Sequence, residues 1–180
     1  MIHEDVELEE EKKPSVFMRV FIILVGLFCI ALIISYVVVD PRVGDIVGGL
    51  AESERLNLDT LSMPINKEQT LTIAPEVYTE LKKIYFDNVR HEFKVCLLGE
   101  INDQVYNITA LVEPTIHSQS SFQVISDPCP DETLVLLHTH PYKRCIASQQ
   151  DIKSLKKFKE TNEETIMGVM CEVDRFNLYK

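Results

Sequence analysis

Residues 133–151 read TLVLLHTHPYKRCIASQQD, and the fold is decided by how this stretch divides. Thr133 to Leu137 is a short apolar run that suits a buried strand, and it leads directly into His138. From Ser148 to about Lys159 the period changes: Ile152, Leu155 and Phe158 fall on one side of a helix, with Lys153, Lys156, Lys157 and Lys159 mostly turned to water. Working outward, Leu71 to Ala74 is a strand. Pro75 then sits where a first helical residue would, and Val77, Leu81, Ile84 and Tyr85 continue a helix to about Asn88. Phe93 to Gly99 and Gln104 to Val112 predict an antiparallel hairpin joined at Glu100 to Asp103. Ile166 to Val173 predicts another buried strand and Phe176 to Tyr179 a last one. Strands interleaved with two helices define a mixed α/β domain, and no internal repeat interrupts it. Glu113 to Pro130, with Pro114, Pro128 and Pro130, is expected to be a long irregular loop of the kind that often serves function.

The N-terminal third has a different composition. Between Arg19 and Asp40 no residue is charged, and Val20 to Val39 is almost wholly apolar. At about 1.5 Å per residue, roughly 20 residues cover the roughly 30 Å of bilayer hydrocarbon, so residues 20–39 are expected to be one transmembrane helix. A signal h-region holds only about 7 to 15 residues, and Ser35 to Asp40 offers no small-x-small cleavage site, which favours an uncleaved anchor. Lys12, Lys13 and Arg19 precede the span and Arg42 and Arg55 follow it. That excess favours a cytoplasmic N-terminus and a C-terminal domain on the extracytoplasmic side. Asn107-Ile108-Thr109, a glycosylation triplet, fits export.

The expected organisation is therefore an acidic tail over 1–19, the span over 20–39, a linker or stalk over 40–69, and one domain over 70–180. The tail, with Glu4, Asp5, Glu7, Glu9, Glu10 and Glu11, reads as a solvated charge block. A net charge of −10 argues against nucleic-acid binding, which depends on clustered Lys and Arg.

His138 and His140, two residues apart at the end of a strand, project from one face and can grip one metal ion. Asp151, at the start of the following helix, adds an oxygen ligand from a second element. Two imidazoles and a carboxylate leave a fourth tetrahedral position for water, as in catalytic rather than structural zinc sites. Ser148 and Asp151 also have the spacing of a helix capping box.

His138-Thr139-His140-Pro141, six intervening residues, and then Ser148-x-x-Asp151 resembles the signature of the JAMM (MPN-domain) zinc metalloproteases. Glu92 in HEFKVCLLG, residues 91–99, resembles that family's upstream glutamate. The likeness runs from about Leu71 to Tyr179. It implies an MPN fold with one Zn2+ per domain held by His138, His140 and Asp151, hydrolysing peptide or isopeptide bonds of protein substrates, ubiquitin-like conjugates among them. Glu92 would be the general base and Ser148 the oxyanion donor. Glu100, at the other end of the same strand, is the competing base, and His117 is expected at the surface outside the metal shell. The alternatives are a silent MPN scaffold that binds partners and a zinc amidohydrolase acting on a small amide adduct.

If the strand over 166–173 packs beside the histidine-bearing strand, Cys145 and Cys171 come within bridging distance. A disulfide between them would speak for an oxidising compartment, and reduced thiols are the other outcome. Cys96 is expected to be an inert core residue, and Cys129 lies between prolines in the long loop.

Overall fold

The computed structural model describes residues 15–39, 48–121 and 123–180, and it divides into two compact units, Met1–Pro41 and Arg42–Lys180. The first contains helix α1, Val16–Val39. Its apolar face is the whole surface, with a mean hydropathy of 2.9 over Val16–Tyr36, so it is long and apolar enough to cross a membrane. Ser15 Oγ accepts the Met18 N–H at 3.3 Å, satisfying one of the free donors of its first turn. The acidic tail, up to residue 14, lies outside the described residues.

The second unit is a mixed α/β domain. Its strands are β1 Glu54–Arg55, β2 Ser62–Pro64, β3 Thr70–Ile73, β4 Lys94–Asn102 and β5 Val105–Val112, followed by β6 Ile116–Gln119, β7 Val124–Ser126, β8 Val135–Thr139, β9 Ile166–Glu172 and β10 Arg175–Tyr179. Eight of them form one sheet in the order β1-β10-β9-β8-β4-β5-β3-β2, while β6 and β7 make a separate hairpin. An isolated bridge from Asn57 to Ser62 brings the two ends of the large sheet together, so it is nearly closed. Helix α2, Pro75–Asp87, starts with proline at its first turn, and helix α3, Gln149–Phe158, starts at Ser148.

Alternation along the central strands assigns each helix to a face. Val95, Leu97, Val135 and Leu137 share a core with Val77, Leu81 and Ile84 of α2. The intervening residues Cys96, Leu136 and Met167 pack instead with Leu155 of α3. Leu155 is the one fully buried residue of α3, and burying such a side chain is worth about 1.5–3 kcal/mol. Strand β8 is consequently covered on both sides and buried at all five positions, which is why its sequence is apolar without alternation.

The structure departs from the sequence expectation in three places. Residues 54–64, expected within a linker, supply β1 and β2, and Leu56 and Met63 are core residues. Two short strands at sheet edges are too brief to show a period. The β4–β5 turn is the pair Asp103-Gln104, both with positive φ (48° and 69°), so Glu100 belongs to β4 rather than to the loop. The long loop also contains the β6–β7 hairpin.

A register shift between Leu98 and Gly99 brings β4 close to β5, and a Cβ at Gly99 would overlap the Asn107 carbonyl oxygen. Because that neighbour is backbone, Gly99→Ala must displace a strand rather than a side chain. The expected loss is about 3 kcal/mol of stability, at the upper end for overpacking, measured by urea unfolding of the purified chain.

Candidate metal centre

Strand β8 carries His138 on the α3 face, beside Leu136's row, and the backbone stays extended through His140 (φ −114°, ψ 115°). The two rings therefore emerge together, with centroids 4.8 Å apart. Pro141 then starts a 3-10 turn, Pro141–Lys143, that turns the chain away toward α3. At the head of α3 a full capping box forms. Ser148 Oγ accepts the Asp151 N–H at 3.2 Å, and Asp151 Oδ2 accepts the Ser148 N–H at 2.7 Å.

The box fixes Asp151 facing the histidines. His138 Nε2 and His140 Nε2 are 3.2 Å apart, and Asp151 Oδ2 lies 3.4 Å from the first and 3.6 Å from the second. Three corners with edges near 3.4 Å fit a tetrahedron whose ligand bonds are about 2.1 Å, the range of imidazole and carboxylate bonds to a small divalent ion. His140 Nδ1 is buried with no hydrogen-bond partner, so convergence of Nε2 on a shared ion is what would fix this ring. The group could hold a metal ion.

Glu92 lies beside this point, with Oε1 3.7 Å from His140 Nε2 and the residue 9% exposed. Its backbone is held from two directions. Gln119 Nε2 donates to the Glu92 carbonyl at 2.9 Å, and the Glu92 N–H donates to the Ser120 carbonyl at 2.8 Å, so the hairpin in the long loop anchors it. On the other side Thr139, between the two histidines, holds Phe93 twice. Its Oγ1 accepts the Phe93 N–H and its own N–H donates to the Phe93 carbonyl, both at 3.0 Å. Glu100 is exposed near the far end of β4, away from the site, and His117 pairs at the surface with Asp127 at 2.7 Å.

Burial pushes the Glu92 carboxyl above the usual carboxylate range, opposed by the nearby His140. Burial likewise lowers His138, against the pull of Asp151. For Asp151 burial works upward, but hydrogen bonding with His138, His140 and Ser148 outweighs it and holds the group well below the usual range. A neutral imidazole and an ionised carboxylate are the forms that bind metal. The site opens into a cleft of about 1040 Å³, bordered among others by the β7 residues and by Tyr142 and Arg144.

Each of those borders is tied to the sheet. Cys145 is bonded to Cys171 of β9 with α-carbons 5.2 Å apart, pinning the segment between His140 and Ser148. Cys96 is not an inert core residue: it is bonded to Cys129, α-carbons 5.7 Å apart, and so anchors the end of the long loop to β4. A cysteine inside an apolar strand looks like a core residue, and only its partner's position reveals the bridge. Lys94, Tyr142 and Arg144 also line the cleft and carry no motif. The register places Lys94 opposite His138. No protein-family model matches this chain, and no curated protein matches it.

With three protein ligands, loss of one should weaken the centre severely. The purified chain is expected to carry close to one metal ion by elemental analysis, and His138→Ala or Asp151→Ala to lose most of it. Full occupancy in both variants would contradict the assignment.

Proposed function

We propose that this chain is a membrane-anchored zinc hydrolase of peptide or isopeptide bonds, of the JAMM type on an MPN fold. The observation that carries this is the tetrahedral spacing of His138, His140 and Asp151 with buried Glu92 beside them in an open cleft. Three ligands leave one position open, as catalytic zinc sites do. Zinc, when bound, lowers the pKa of a water toward 7 and polarises the scissile carbonyl. Glu92, its proton affinity raised by burial, takes the proton from the attacking water and returns it to the departing amine. Ser148 accepts the Asp151 N–H on its oxygen, which leaves its hydroxyl proton to donate to the developing oxyanion. Thr139, Gln119 and Ser120 keep Glu92 within reach of that water.

The two disulfides support an extracytoplasmic position for the domain, since such bonds persist in oxidising compartments. The glycosylation triplet adds nothing to this: Asn107 sits within β5, paired to β3 and β4, where an acceptor loop is absent.

Glu92→Gln is expected to retain metal and fold while kcat for amide hydrolysis falls by about 10² to 10⁴, the usual contribution of a general acid-base. Loss of activity in Glu100→Gln with Glu92→Gln unaffected would reassign the base. For the compartment, maleimide applied to the unfolded but unreduced chain is expected to leave Cys96, Cys129, Cys145 and Cys171 unlabelled. Labelling of all four would remove the support for export.

A further inference from the structure

Lys94 lies in the cleft directly across from a metal ligand. Strand β4 pairs antiparallel to β8 in the register Lys94 to His138, so the two side chains leave the same face about 5 Å apart. The lysine is half-buried, and its ammonium donates to the Asp127 carbonyl oxygen at 3.5 Å. No carboxylate among the described residues pairs with it: Glu92 and Asp151 face the histidines, and Asp127 uses its own carboxylate on His117. Leu136, Phe158 and Cys129 are among the apolar residues that line the same cleft.

A cation taken partly out of water without a counter-charge is unfavourable, and burial lowers its proton affinity accordingly. The charges around the centre leave it uncompensated. Glu92 and Asp151 are directed at the histidines, so neither supplies Lys94 with a carboxylate partner.

Resting on the hydrolase reading above, we infer that Lys94 is a specificity residue that binds a carboxylate on the substrate, one residue away from the scissile amide. Because Lys94 and His138 are register partners, a substrate group held by the lysine stands next to the residues that would hold the metal. The substrates selected are amides whose leaving amino acid bears a free α-carboxylate, rather than internal bonds of a long chain. An ammonium donating to a carboxylate in a half-buried cleft discriminates strongly against a neutral isostere.

The test uses the full-length chain in detergent, loaded with zinc, and two matched probes: an N-acetylated dipeptide as the free acid and the same dipeptide as its C-terminal amide. The expected result is at least a tenfold preference in kcat/KM for the acid, about 1.4 kcal/mol. Lys94→Met should collapse that ratio to within about threefold, mainly through KM on the acid, while Lys94→Arg restores part of it. Zinc content and unfolding midpoint of each variant show that the centre and fold persist. Calorimetric titration of the metal-free chain with the free-acid dipeptide provides a second readout that needs no turnover. Equal turnover of acid and amide by the unchanged chain overturns the inference and leaves the hydrolase standing. Absence of turnover, with binding that depends on Lys94, upholds the carboxylate site and overturns the hydrolase. Absence of both overturns both.

Discussion

Strand β8 is buried along its whole length, and a buried backbone must give every N–H and C=O to a neighbour. Its two flanks meet that demand, antiparallel with β4 and parallel with β9, and the pairing continues past its ends. Leu134 donates to Leu97, Ile166 to Leu134, and His140 to Met170. A slip of one residue would turn His138 and His140 to the opposite face and point the Leu137 side chain where His138 now points. The register is thus held by the whole hydrogen-bond ladder and by the alternation of two cores. The position of the two imidazoles follows from it without any further device.

The other parts of the centre are attached to this strand by short-range contacts. Thr139 points away from its flanking histidines and clasps Phe93, which sets where β4 begins and hence where Glu92 stands. Asp151 comes from α3, whose first turn needs an acceptor for its free N–H groups. Electrostatics then act on a fixed frame. Burial acts upward on both acids, but only Asp151 has enough hydrogen-bond donors to overcome it. Two carboxylates that flank the same ring nitrogen of His140 are given different proton affinities by their neighbours.

The strands with strong periodic or continuous apolar sequence were legible, as were helices α2 and α3 and the convergence of His138, His140 and Asp151, because spacing along one strand and one helix start suffices to bring those side chains together. Glu92 was legible only through its likeness to a known signature, since nothing local distinguishes it from Glu100. What was hidden depends on contacts distant in sequence. The edge strands β1 and β2 gain their structure from β10 and β3 rather than from their own two or three residues. Cys96 met its partner across 33 positions, and a cysteine among Val95, Leu97 and Leu98 gives no sign of that. Lys94 reads as an ordinary polar position in a strand until the register places it opposite His138.

Asp151 is held by the helix it begins and needs no ion to fix it. The carboxylate therefore has a structural occupation that persists whether or not a metal is present, unlike the ligands of small zinc modules that order only on binding. The cap and the metal-facing position are separable demands on one residue: a variant that loses a histidine would keep a capped helix and an intact sheet.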